Sequence, residues 1–201
     1  MKKQFLFLAG FSLLILASPL AAKAKKDNTV ATITLPPQFL DKACKKDLWK
    51  NTTVRWEGVT DKREEAAVGR QTKKWGANIT PVVLTADPTM AQSFNLALWN
   101  LFSSCGMTLL MEGKADRTLS VEIEDFYAGV DKNLLSGQAT AKSQIKFFIT
   151  HGTEVQSVTV GYEIDAKKIY DNDLRQLKKS LNELFLKTIE QVPQNSDLKN
   201  L

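Results

Sequence analysis

Three successive runs in the C-terminal half alternate apolar and polar residues. In "TLSVEIEDFY" (118–127), Leu119, Val121 and Ile123 oppose Ser120, Glu122 and Glu124. In "GQATAKSQIKFFIT" (137–150), Ala139, Ala141, Ile145, Phe147 and Ile149 share one side, with Lys142, Gln144 and Lys146 on the other. His151-Gly152 signals a tight turn, after which "TEVQSVTVGYEI" (153–164) returns with Val158, Val160, Tyr162 and Ile164 in phase. Strand side chains repeat every second residue, so this pattern demands a sheet with one dry face and one wet face. Three such strands in a row point to an antiparallel meander. Its dry face needs a cover.

Two amphipathic helices supply one. Met90, Phe94, Ala97, Leu98, Leu101, Phe102 and Cys105 recur at helical spacing, with Asp87 expected as cap and Pro88 as first helical residue. Gly106 is expected to end that helix in a left-handed conformation. A second stripe runs through Leu174, Leu177, Leu181, Leu184, Phe185 and Thr188, capped by Asp171 or Asp173 and stopped by Pro193.

Elsewhere the signals are shorter. "NTTVRWEGV" (51–59), "ANITPVVLT" (77–85) and "MTLLM" (107–111) read as strands, and "TVATITL" (29–35) as an edge strand or arm. A short helix is expected over 38–50. The expected fold is α+β: a mainly antiparallel sheet with two amphipathic helices packed on one face, in the order β-β-α-β-β-β-β-α.

The first residues set the compartment. Lys2-Lys3, the apolar run 5–17 and the small residues Ala22 and Ala24 form a secretory signal peptide over 1–24, with cleavage after Ala24. An uncleaved membrane anchor is the alternative, but the apolar run is shorter than the roughly 20 residues a span needs. No cysteine follows the signal, so no lipid anchor is expected. The signal carries three lysines and no acid, which leaves 27 − 3 = 24 basic against 22 acidic residues, a net +2. That balance argues against a nucleic-acid partner, which requires clustered basic excess. The mature chain divides into an N-terminal extension (25–52), one α+β domain (53–192) and a C-terminal tail (193–201). Periplasmic or otherwise exported residence follows, with outer-membrane association an option.

Cys44 and Cys105 are the only cysteines. In an oxidising compartment an even count suggests a bridge, which would close a loop of about 60 residues worth roughly 4 kcal/mol in the chain-entropy model. Cys105 alone also reads as a small buried hydrophobe on its helix.

The order of features is similar to that of a known family. A strand, Asp61-x-Arg63, Val68-Gly69, the helix ending in "SSCGM" (103–107), the stretch 119–163 and a final helix resemble the YajG-like family of bacterial envelope lipoproteins over about residues 53–190. The most specific portion is "LSVEIEDFYAGV" (119–130), its loop, and the long strands joined at Gly152. The resemblance implies a small envelope domain and supplies no catalytic residues. The chain departs from the family in having Ala24-Lys25 where a lipidated cysteine is normal, and residues 25–50 lie outside the resemblance.

Candidate sites are few. Asp61, Arg63 and Gly69 form a charged knot that reads as a turn: Asp61 bonding backbone amides, Arg63 paired with an acid, Gly69 allowing close approach or positive φ. No GK[ST] or GxGxxG follows, so no phosphate loop is indicated. His151, the only histidine, stands at a hairpin tip, which weakens any multi-histidine metal site or Ser-His-Asp hydrolase. Glu122 and Glu124, with Asp125 beside them, could hold a divalent cation, or be offset by Lys142 and Lys146 across the strands. Trp75, beside lysines, is a candidate partner contact, whereas Trp99 is expected to pack on the core. No catalytic, cofactor or metal residues are therefore assigned. The expected function is a non-catalytic accessory or adaptor domain binding another envelope protein or lipid. Alternatives are a carrier holding a lipid or amphiphile between helices and sheet, and a cell-wall hydrolase using Asp61, Glu122 or Glu124.

Overall fold

The computed structural model describes residues 29–35, 47–75, 78–133, 136–164, 174–199 and 201, the side chains at 29, 71–81, 130–140 and 176 excepted. Eight strands join in one sheet: β1 (Thr29–Ile33), β2 (Thr53–Asp61), β3 (Gly69–Trp75), β4 (Asn78–Ala86), β5 (Thr108–Leu110), β6 (Arg117–Asn133), β7 (Ser136–His151) and β8 (Glu154–Ile164). Helix α1 spans Met90–Ser104 and α2 spans Leu174–Gln191. A 3-10 turn (Val192–Gln194) then leads to the short α3 (Ser196–Lys199).

The meander is present. β6 pairs antiparallel with β7 along its whole length, and β7 pairs antiparallel with β8. The remainder corrects the expectation of a mainly antiparallel sheet. β1–β4, β2–β5, β2–β6 and β3–β6 are parallel, four of the seven pairings. Alternation reports which face is wet and says nothing of a neighbour's direction. Parallel pairing needs a long crossover, and the stretch between β2 and β6 provides it.

β6 is the common spine. On one side it meets β7; on the other, Arg117–Ile123 meets β2 and Ala128–Val130 meets β3. β2 and β3 therefore lie end to end along one strand, and the sheet forks beyond it into β2–β5 and β3–β4–β1. A register shift between Ile123 and Asp125 makes Glu124 an extra residue. The shift changes which positions face inward: Leu119, Val121 and Ile123 are buried before it, Phe126 and Ala128 after it. Without that bulge, the far half of β6 would turn its apolar side chains to water.

Both helices pack on the same face, α1 over β2 and β5, α2 over β8, β7, β6 and β3. Their contact with the sheet is aromatic. Phe94 meets Phe185 at 4.8 Å and Phe126 at 5.7 Å, and Phe102 meets Trp49 at 5.1 Å and Trp56 at 5.9 Å between ring centroids. Such edge-on pairs add about 0.5–1.5 kcal/mol each beyond area burial. Trp99 packs half-buried against this core. In α2, Leu177, Leu181, Leu184, Phe185 and Thr188 are buried as their spacing predicts, and the helix ends two residues before Pro193.

The N-cap of α1 differs from expectation. Thr89, not Asp87, caps it: its hydroxyl accepts from the Gln92 amide while the Gln92 side chain accepts from the Thr89 amide. This reciprocal capping box satisfies two otherwise orphaned donors, which Asp87 is placed too early to do. At the other end Gly106 has φ +91°, with Met107 N–H donating to Phe102 and Gly106 N–H to Ser103. That is the bonding a left-handed glycine closes a helix with.

The residues expected as a C-terminal tail fold back. Val192, Pro193 and Leu198 are buried, and the Trp49 indole donates to the Leu198 carbonyl at 2.7 Å. The helix expected over 38–50 and the caps at Asp171 or Asp173 fall largely or wholly outside the described residues, as do the signal peptide and Ala24. Residues 47–50 form a turn.

Candidate functional site

The fork in the sheet brings the sequence's charged knot against the spine. The β2–β6 ladder ends with Lys62 N–H donating to Ile123, and the β3–β6 ladder begins with Ala128 N–H donating to Val68. Arg63 fills the interval. Its guanidinium donates to the carbonyls of Phe126 (3.2 Å) and Ala67 (3.3 Å). Two further bonds run to the Asp61 carboxylate, at 2.9 and 2.7 Å. Asp61 also accepts from the Arg63 amide. The Arg63 side chain is only 7% exposed. A bidentate pair of this kind is strong and directional, and here one side chain stands in for the backbone partner that β6 lacks between its two neighbours.

Gly69 begins β3 where the backbones close up. A Cβ there would stand 2.7 Å from the Ala128 carbonyl oxygen, and φ is not in the left-handed region. Of the two roles considered for this glycine, the geometry is that of close approach.

Beside the fork lies a concavity of about 680 Å³, lined by Lys62, Arg63, Glu65, Glu122, Glu124 and Tyr127 among others. Its acids on β6 are partnered. Glu124 accepts from Gln144 at 2.6 Å and stands 3.9 Å from Lys146; Asp125 lies 3.4 Å from Lys142 and Glu122 4.0 Å from Lys62. Lys142 and Lys146 offset Asp125 and Glu124 across the strands as expected, whereas Glu122 is met by Lys62, just past the end of β2. Among the described residues no three His, Cys, Asp or Glu side chains converge closely enough to hold a metal ion.

Among the described residues no helix covers the outer face of the meander. It carries Ser120, Glu122, Lys146, Phe148, Thr150 and Val155, with the Lys146 ammonium 5.2 Å from the centre of the Phe148 ring. Val155 is 63% exposed. Tyr127 lies over Gly129, which has no side chain to obstruct it. The spacing Tyr127-x-Gly129 was the sequence signal for that contact, since positions two apart share a face.

Other expected positions scatter. His151 is exposed at the β7–β8 turn, opposite Arg117 and Glu154 in register. Trp75 ends β3, and its side chain is outside the described residues. Cys105 is fully buried and is not a free thiol; Cys44 lies outside the described residues, which leaves the bridge to be tested chemically. The space a carrier would need between helices and sheet is occupied, among the described residues, by the Phe94, Phe102, Phe126 and Phe185 rings.

A family model described as an uncharacterized lipoprotein matches residues 49–201. No curated protein sequence matches the chain. Among solved structures, an uncharacterized protein superposes with a TM-score of 0.51 at 14% identity, over 84% of this chain and 98% of that one. That likeness is one of fold. A Xanthomonas campestris protein gives 0.47 at 8% identity, over 82% and 92% of the two chains. A lipoprotein from Neisseria meningitidis gives 0.36 at 7% identity, over 72% and 99%.

Proposed function

Because the chain belongs to the uncharacterized lipoprotein family, we propose that it is a non-catalytic accessory domain of the bacterial envelope that binds another envelope component through the outer face of β6–β7–β8. Exported, envelope-associated residence comes with the family. The finer reading puts the protein in the periplasm or at the outer membrane, YajG-like in type, released from its signal after Ala24.

One observation carries the proposal: α1 and α2 cover the same face of the sheet and, among the described residues, leave the opposite face of its longest strands open. That face combines an aromatic ring, an exposed valine and fixed charges of both signs, the mixture that protein contacts use. The carboxylates considered for hydrolysis are held by arginine, lysine or glutamine partners, an arrangement suited to holding shape.

Photocrosslinking in intact cells tests it. A photoreactive residue at position 120, 146 or 148 is expected to capture an envelope protein or lipid, and the same residue at exposed Leu96 on α1 is not. Equal capture at both places, or none at the sheet, would refute the assignment.

A further inference from the structure

β8 ends the sheet. Among the described residues it pairs with β7 alone, over all eleven positions, and most of its side chains are exposed. Natural edges of this length are blunted by lysines, prolines, bulges or a covering element. β8 has no lysine, arginine or proline, and its two charges, Glu154 and Glu163, stand near its ends. The eight residues between them, Val155 to Tyr162, are uncharged. By comparison β1 has five residues and β5 three.

We infer that β8 pairs antiparallel with β8 of a second copy, in the register centred on Thr159. This goes beyond the outer-face reading and does not depend on it. That register alone aligns all eleven positions. It sets Glu154 opposite Ile164 and Glu163 opposite Val155, so no carboxylate faces another across the pair. It also sets Val158 opposite Val160, both buried on the helix-covered side, so the apolar row under α2 continues into the second copy. Paired residues keep the same face because the register relates even positions to even ones. Eleven aligned positions supply roughly ten main-chain hydrogen bonds, two for each alternate pair, comparable to the number a stable interface carries. An extended segment of another protein would have to bring an uncharged strand of matching parity; a second copy already presents one. The two outer faces then merge into one continuous surface.

Sedimentation and crosslinking of the purified exported protein test this, using three single variants at two exposed outward positions. Wild type is expected to sediment as a dimer, and Thr159→Lys, which would place two ammonium groups opposite each other, as a folded monomer. Under mild oxidation Thr159→Cys is expected to form a covalent dimer and Ser157→Cys not to, since the latter pair would stand about 13 Å apart along the strands. The cysteine arm reads the register even if the lysine variant misfolds. A wild type that is monomeric at every concentration overturns the inference. So does a dimer that survives Thr159→Lys, equal crosslinking at 157 and 159, or a foreign strand found on β8 of a monomeric chain. Loss of outer-face capture in cells with the dimer intact would count against the proposed function only.

Discussion

Arg63 shows how a single side chain can complete a sheet. Its guanidinium joins Asp61 on β2 to the Phe126 carbonyl on β6, at the place where neither β2 nor β3 reaches the spine. Arg63→Ala is expected to cost about 1.5–3 kcal/mol, the range for hydrogen bonds to charged groups, read as a lower urea midpoint. Asp61→Ala is expected to cost at least as much, because it leaves a nearly buried guanidinium without its counter-charge. The double variant should cost less than the sum, and strict additivity in that cycle would show that the pair does not act as a unit. Cys105 makes a second prediction at this scale. A non-reducing digest is expected to yield one peptide pair linking Cys44 and Cys105, and alkylation of both thiols without prior reduction would exclude the bridge.

Among the elements, those with a periodic apolar face were legible in the sequence. α1, α2, β7 and β8 announce themselves because packing against a single layer forces periodicity. β3 was not legible: "GRQTKKW" alternates nothing, and its place is set by backbone pairing to β4 and β6. The parallel pairings were hidden for a related reason, since side-chain pattern does not encode strand direction. The bulge at Glu124 was hidden too, although its trace is visible in retrospect, where the apolar phase of Leu119-Val121-Ile123 gives way to that of Phe126-Ala128. The knot's role as a turn could be argued from Asp61, Arg63 and Gly69, but its partners on β6 lie some 60 residues away and leave no local signal. Deleting Glu124 is expected to leave Phe126 and Ala128 on the inner face, because Ile123, Asp125 and Phe126 then alternate without the extra residue, and to lower the urea midpoint only modestly. Glu124→Ala, which keeps the spacing, is expected to cost under about 1 kcal/mol, as surface ion-pair losses do. Collapse of the deletion variant beside a near-wild-type Glu124→Ala would overturn this register.

At the scale of the molecule, the turn before β2 is tied to the closing C-terminal turn. The Trp49 indole bonds the Leu198 carbonyl, and Leu198 is completely buried. Leu198→Ala is therefore expected to lower stability by about 2–5 kcal/mol and to make the last residues susceptible to carboxypeptidase. Resistance equal to wild type would mean that the closing turn holds without its leucine. The position of β6 also bears on how such a chain comes into being. A polypeptide delivered across a membrane N-terminus first presents β2 and β3 long before their shared neighbour: Val54 must wait for Arg117, 63 positions later. During that interval two small half-sheets stand with open borders and share no hydrogen bonds with each other. Newly arrived chains should then depend on holding factors until the ridge strand emerges, and should assemble slowly, as long-range parallel pairing generally does.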